Sequence, residues 1–473
     1  MGYKIPSEVK NILDKFTKEK FQIYIVGGAV RDLLLGREVK DWDFTTDAKP
    51  EEILKIFSDG FLDRRSQKGS TFGEPFYDNK FGTVGVKTNL GIFEITTMRK
   101  EGLYKDHRHP LEVGWTNKIE QDLARRDFTV NAIALGKHLR GEVLAIIDPF
   151  DGQNDIKEKI IRAVEDPNIR FQEDALRLIR AIRFAAQLGF EIDPKTFAAI
   201  KQNADLIKTV SPDRVRDELF KLLSSDNAYE GIVNLRESGI LPVILPELEA
   251  CFGIVQEGPK HARVYDIGKH SLLALKHTPF TDPLVRFASL LHDIGKVKTV
   301  KTDGSGNVTF YNHEFVGGKI VLEIAKRFNL SKTQTDKLYR LIRWHMFSVS
   351  EDQTDSAVRR FIKNVGLENV SDMMAVRVGD RLGGGTATET SWRIEKYKDR
   401  IKEVLKKPFS IADLKINGAD VMKTLNIKPG PMVGEILQKL FAEVLEDASK
   451  NNREYLMEKI SDPTFLPTKP TKP

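Results

Sequence analysis

The chain holds a single cysteine, Cys251, among 473 residues. That excludes an internal disulfide framework and a cysteine-ligated zinc site, and a reducing cytoplasm is the compartment such usage fits. No apolar run approaches the ~20 residues a spanning helix needs, so no membrane role is expected. The N-terminus, MGYKIPSEVKNILDKF, lacks the apolar core of a signal peptide and reads as the approach to an amphipathic helix. Pro6 stands where an acylation motif needs Ser or Thr. Internal repeats and low-complexity domains are also missing. Excess charge of one sign is slight: 74 Lys plus Arg against 68 Asp plus Glu give +6 and a pI near 9.0, which permits nucleic-acid contact without demanding it.

With 40% hydrophobic and 30% charged residues, the composition is that of an ordinary soluble protein of two to four domains. Up to about residue 150, helix alternates with short β-branched and aromatic runs such as Thr83 to Val86 and Ile92 to Thr97. From Asp151 onward helical periodicity takes over, as in Ala175 to Leu188. Pro242, Pro246 and the stretch Gly253 to Pro259 punctuate the helical part. The pattern predicts an α+β head over 1–150, a helical neck and body over 151–255, a His-rich helical domain over 256–400, and a helical tail over 401–473 with a disordered Pro-Thr-Lys end.

Residues 23–46 read IYIVGGAVRDLLLGREVKDWDFTT. Ile23 to Val26 predicts a strand, and Ala29 to Leu35 a helix stopped by Gly36. Gly27 and Gly28 then form a strand-to-helix turn, where backbone can approach a ligand and helix N–H groups face an anion. Arg31 adds a guanidinium fork suited to phosphate. Asp41 and Asp43, two residues apart, share a face if extended. Two carboxylates aimed at one point repel unless a cation joins them, and Mg²⁺ with nucleotide phosphates is the usual occupant. A lone Asp-x-Asp is more often a solvated loop; in this order and this close, the fragments predict nucleotidyl transfer.

Downstream come RRDFTVNA (Arg125 to Ala132), DPFDG (Asp148 to Gly152) and EDALRLIRAIRF (Glu173 to Phe184). Arg177, Arg180 and Arg183 recur every third residue among Leu, Ile, Ala and Phe. A solvated face with a Glu173 to Arg177 pair is the plain account. Arginines on a largely buried helix, however, need anionic partners, and phosphate is the expected one.

In this order, GGAVRD, DWD, RRDFTVNA and EDALRLIRAIRF resemble the class II tRNA nucleotidyltransferase and bacterial poly(A) polymerase family over residues 20–250. The resemblance implies a polymerase-β-like head followed by an all-α neck and body. Asp41 and Asp43 would be the catalytic carboxylates holding Mg²⁺. Gly27, Gly28, Arg31, Arg126, Asp127, Asn131 and Glu173 would line the nucleotide. Asp174 and Arg177 would read the Watson-Crick edge of CTP or ATP, the carboxylate accepting from the exocyclic amine that C and A share. Arg180 and Arg183 would bind nucleotide or position the helix, and Glu94 in FEITTMR is a candidate third acid. The implied partner is tRNA and the implied activity CCA addition to its 3' end. Poly(A) polymerase and a noncatalytic RNA-binding protein are the alternatives. The loop RKEGLYKDHRHP, Arg99 to Pro110, sits where CCA-adding members carry a loop associated with switching from CTP to ATP. The segment Gln67 to Lys80 looks longer than the family's lead into Phe81-Gly82-Thr83 and has no assigned role.

His270, His292-Asp293, His313, His345 and Asp380 form a second constellation. The apolar helical run Phe287 to Leu291 ends in HDIGK, predicting His292 and Asp293 on neighbouring faces of one helix. Imidazoles with carboxylates suit a divalent transition metal that activates water. The intervals resemble the HD phosphohydrolase pattern with minimal and additional ligands, implying an α-helical HD domain that hydrolyses phosphomonoesters or cyclic phosphodiesters. A scaffold retained without substrate is the alternative. His261 and His277 read as structural. The segment DLKINGADVMKTLNIKPGPMVGEIL resembles the tail of class II enzymes fused to such domains; Lys415, Lys423 and Lys428 there suit phosphates or simply water.

Overall fold

The structure, a computed structural model, describes residues 4–58, 73, 75–77, 82–101, 113–137, 144–256, 266–279, 282–302, 304, 308–349, 353–386, 388, 392–405 and 411–465. Most of the Arg99 to Pro110 loop, most of Gln67 to Lys80, His261, Phe81 and the Pro-Thr-Lys end lie outside the described residues. Two compact units emerge: residues 1–250 with 327–329, and 251–326 with 330–473.

Short alternating runs in the first unit assemble into a seven-stranded sheet. Strands β1 (Ile23–Val26), β2 (Asp43–Thr46), β3 (Phe76–Tyr77), β4 (Thr83–Thr88), β5 (Gly91–Thr97), β6 (Ala134–Lys137) and β7 (Leu144–Ile147) stand in the order β3-β4-β5-β2-β1-β6-β7. β2 is central because it can be buried: Phe44, Thr45 and Thr46 are almost fully enclosed, and Phe44 packs on Phe93 of β5 at 5.7 Å. It pairs antiparallel with β1 and parallel with β5, in a register that sets Val26, Asp43 and Glu94 directly opposite one another.

Helix α1 (Gly28–Leu34) leaves β1 through Gly27, whose φ of +70° is a glycine conformation. A Cβ at Gly27 would also stand 3.0 Å from Arg126 Nη1. The helices that complete the site are α2 (Ile119–Ala124), α3 (Pro167–Glu173), α4 (Leu176–Leu188) and α5 (Pro212–Leu223). α4 buries Leu178, Ile179, Ala181 and Ile182, and stops at Gly189 in the left-handed region.

The second unit is helical, with α6 (Ile267–His277), α7 (Pro283–Leu291), α8 (His313–Arg327), α9 (Lys332–Arg343), α10 (Asp355–Val365), α11 (Val370–Gly383) and α12 (Trp392–Leu405). α6 approaches α11 closely because α11 presents glycine: a Cβ on Gly383 would meet Ala274 N at 2.7 Å. α7 is buried from Leu284 to Leu291 and ends there. His292 and Asp293 therefore lie in the turn beyond the helix, a correction to the helix predicted through HDIGK. Gly295 explains the turn: any Cβ on it would sit 2.0 Å from the His313 carbonyl oxygen, so only glycine lets α8 bring His313 beside Asp293. Residues 411–465 add a small core of their own around Ile436, Leu440, Val444, Leu456 and Ile460.

Candidate active sites in the two units

The central strands of the first unit present Asp43 and Glu94 as cross-strand neighbours on one face, with Asp41 just outside β2 and the Gly27 turn beside them. Trp42 between the two aspartates is buried while Asp41 is exposed, as alternation along an extended segment requires. Burial pushes the Asp43 carboxyl above its ordinary range; Arg126 opposes this, and the Asp41 charge adds to it. A carboxylate kept this close to a second acid is short of positive charge. An all-oxygen donor set with that deficit fits a divalent cation.

Asp122, outside every motif quoted from the sequence, aims the basic side of this site. Completely buried, it accepts from Arg125 Nη2 at 2.9 Å and from Arg126 Nη2 at 3.2 Å. Arg126 Nε is left buried without a hydrogen-bond partner, so that guanidinium retains donor capacity next to Gly27. The three- and four-residue spacing from Asp122 to Arg125 and Arg126 was a readable signal.

Helix α4 is tied to the head by one polar chain. Arg180 donates to Asp127 Oδ2 at 2.9 and 2.6 Å, Asn131 Nδ2 donates to Asp127 Oδ1 at 3.1 Å, and Arg31 Nη1 donates to Asn131 Oδ1 at 2.8 Å. Arg31 also forks onto Asp32 through Nε and Nη2. Arg177 Nη1 meets Glu173 Oε2 at 2.7 Å, while its Nη2 meets the Arg125 carbonyl at 2.8 Å. Arg183 Nε meets Glu218 Oε2 at 2.8 Å. The anions expected for the three arginines are thus carboxylates of the protein, not only phosphate, and Glu218 lies too far along the chain for any spacing rule to find. Asp174 caps Leu176 N and receives Arg214 Nη2 at 3.1 Å; both side chains keep roughly a quarter of their surface open, 23% and 28%. Arg214 is a further residue missed from sequence.

Asp127 makes a testable pH statement. Burial alone would raise its carboxyl, but the Arg180 guanidinium, hydrogen-bonding from Arg180 and Asn131, and Arg177 together hold it well below the usual carboxylate range. A depressed folded value contributes stability above the unfolded pKa near ~4, lost as pH falls through the folded value. Asp127→Ala should therefore cost about 2 kcal/mol at pH 7, less than a fully buried pair because 31% of the Arg180 side chain is exposed. Urea unfolding at pH 7 and pH 3 checks it: the gap between wild type and variant narrows at pH 3, and an unchanged gap counts against the linkage.

In the second unit four imidazoles and two carboxylates converge. His270 Nε2 lies 3.2 Å from His292 Nε2, 3.4 Å from Asp293 Oδ2 and 3.3 Å from Asp380 Oδ1. On the other side of the same carboxylate, His313 Nε2 and His345 Nε2 stand 3.3 and 3.8 Å from Asp293 Oδ1. The atoms form two metal-competent groups, His270-His292-Asp293 and Asp293-His313-His345, with Asp293 in both. Nδ1 of His292, His313 and His345 each lies 2.7–2.8 Å from a backbone carbonyl, of Ser289, Phe310 and Ile342. Donation there leaves Nε2 as the free ligand atom, the arrangement a metal-binding histidine needs. Lys296 Nζ sits 2.6 Å from Asp293 Oδ2. Burial disfavours a charged His292, yet Asp293 and Asp380 push it up to about 10, while burial and the His292 charge push His345 down to about 3. The two carboxylates thus favour positive charge at the centre of the cluster; a divalent metal would supply it in place of the His292 proton, and this donor set fits one.

Four family models match in chain order: the poly A polymerase head domain over 23–162, the probable RNA- and SrmB-binding site of polymerase A over 189–252, the HD domain over 263–373, and a putative tRNA nucleotidyltransferase domain 2 over 324–460. The HD match ends before Asp380, which the sequence pattern groups with the histidines and the fold sets 3.3 Å from His270. An A-adding tRNA nucleotidyltransferase of Deinococcus radiodurans is 35% identical over 426 residues, 88% of this chain and 90% of the relative. A CCA-adding enzyme of Ligilactobacillus salivarius is 32% identical over 457 residues, 96% of each. Among solved structures, the Bacillus stearothermophilus CCA-adding enzyme in complex with CTP aligns with a TM-score of 0.65 at 27% identity, covering 96% of both chains. Among the described residues no helix is long and apolar enough to cross a membrane. Likeness along nearly the whole length, on a head whose central strands carry the paired acids, means that the chain belongs to the tRNA nucleotidyltransferase family and is a nucleotidyltransferase.

Proposed function

We propose that this chain adds CCA to tRNA 3' ends from CTP and ATP, and that its HD centre hydrolyses phosphate esters, both in the cytoplasm. The observation that carries the first part is Asp43, cation-deficient at the head of the central strand, with Asp41 and Glu94 beside it. Asp41 and Asp43 hold Mg²⁺ and orient the RNA 3'-hydroxyl toward the α-phosphate. The ion supplies the charge that makes the hydroxyl a better nucleophile and pyrophosphate a better leaving group. Arg126, with its spare donor beside the Gly27 turn, takes phosphate oxygens, and the Asp127-Asn131 chain steadies Arg31 and Arg180 around it. Asp174 accepts from the amine of C or A. Arg177 joins in base reading by exchanging its Glu173 and backbone partners for the base.

The four-part division at about 150, 255 and 400 belongs to the same proposal: head, neck and body, HD domain, tail. In the HD part, His270, His292, His313, His345, Asp293 and Asp380 hold a divalent transition metal, which supplies an activated water when bound.

The A-adding relative favours a second reading, addition of the terminal A alone. Three tRNA transcripts, lacking CCA, ending in C and ending in CC, offered CTP and ATP separately and together, decide between them. CCA addition predicts that the first gains C from CTP alone and the full triplet from both nucleotides. Extension only of the CC-ending transcript, and only by ATP, would replace it with the second reading.

A further inference from the structure

One face of the sheet in the first unit is closed and the other open. Val84, Val86, Phe93 and Ile95 are buried, and the helix Pro50–Ser58 packs against β4 and β5. Gly85, Lys87, Ile92 and Glu94 alternate with these residues and therefore point to the opposite face, where Lys87, Ile92 and Glu94 are exposed.

The open face carries the acids. Opposite Asp43 stands Glu94, opposite Glu94 stands Gly85, and opposite Gly85 stands Phe76 of the edge strand β3. This row ends in an aromatic ring. A Cβ on Gly85 would lie 2.5 Å from Phe76 Cζ, so the ring leans inward over the glycine, with 36% of the residue open to solvent. Glycine at 85 is what lets it lie there; any larger side chain would lift it away.

Strands stand about 4.8 Å apart, which puts the ring about 10 Å from the Asp43 backbone, on a line through Glu94. The Gly27 turn and Arg126, which take the triphosphate in the proposed reaction, lie on the other side of Asp43, at the end of β1. The attacking hydroxyl must come from the side that the triphosphate leaves open, and that side is β5, β4 and β3.

We propose that Phe76 seats the 3'-terminal base of the RNA. The base stacks on the ring, and its ribose spans Glu94 with the 3'-oxygen turned toward Asp43. Every base has a π-face, so the seat accepts whichever residue ends the RNA at each round of addition. Lys87, two residues along β4 on the same face, offers its ammonium to the RNA backbone. The inference rests on the RNA-extension reading and gives the segment Gln67 to Lys80 a part in it: that segment supplies the edge strand that carries the ring.

Filter binding of the full chain to two tRNA transcripts, alike except that one ends in an abasic ribose, reads the seat with no nucleotide added. Wild type should bind the abasic transcript about tenfold more weakly, the effect of one stacked base. Phe76→Ala should bind both transcripts as wild type binds the abasic one, and Phe76→Trp should restore the difference. Gly85→Ala, which lifts the ring, should narrow it. In extension assays Phe76→Ala should raise the KM for tRNA about tenfold and leave the KM for CTP and ATP within about twofold. Equal binding of the two transcripts by wild type, or a tenfold difference that survives Phe76→Ala, overturns the seat. Extension by the same preparations separates this inference from the reading beneath it. Base-dependent binding with addition of A alone keeps the seat and removes CCA addition, whereas CCA addition with base-independent binding removes the seat alone.

Discussion

Asp43→Asn should lower nucleotide incorporation into tRNA by at least about a thousandfold and leave the fold intact. Asparagine preserves the shape of the side chain at the head of the central strand, so the pairing with Val26 and Glu94 survives. What disappears is one of the charges that a divalent ion requires there. Burial and the Asp41 charge already hold the Asp43 carboxyl above its ordinary range, so neutralising it removes a strain in the folded state. The melting temperature should accordingly be equal or slightly higher, while Arg126 keeps Asp122 as its ion-pair partner. Loss of function with gain of stability is the signature of a site built against its own stability. Single-turnover incorporation of labelled CTP and ATP, beside a thermal melt, reads both. Incorporation within tenfold of wild type would sink the role given to Asp43.

Asp293→Asn should strip the second unit of bound metal and abolish phosphate-ester hydrolysis while the head continues to add nucleotides. Both metal-competent groups include Asp293, one through each carboxylate oxygen. Losing its charge therefore weakens both at once, whereas His313→Ala spares the His270-His292-Asp293 group. Lys296 loses its ion pair with Asp293 but keeps a hydrogen bond to Gln256 Oε1, so its ammonium is not left without an acceptor. Metal content by elemental analysis, with hydrolysis and tRNA extension on the same preparation, separates the cases. Full metal content in Asp293→Asn, or loss of extension along with hydrolysis, would refute the assignment.

The family could be read from local spacing. The strand-turn-helix of residues 23–35 needs only apolar runs and two glycines, and the structure has strand and helix there. Likewise the arginine helix runs from Leu176 to Leu188 where its periodicity put it. The largely apolar run Leu284 to Leu291 predicts helix through HDIGK, whereas α7 ends at Leu291 and the turn beyond it carries Gly295 close under the His313 carbonyl, a contact between segments distant in sequence.

By itself the sequence determined which chemistries are present: paired acids, a glycine turn, arginines at helical spacing, histidines with aspartates. These are properties of near neighbours, set by backbone geometry over a few residues. Only the tertiary structure decided which charges meet. Glu218 neutralises Arg183 from α5, Arg214 of the same helix reaches Asp174, and Asn131 accepts from Arg31 at a separation of 100 residues. Buried charges must be matched wherever the chain brings them, and that match depends on packing over tens of residues, which no local spacing encodes.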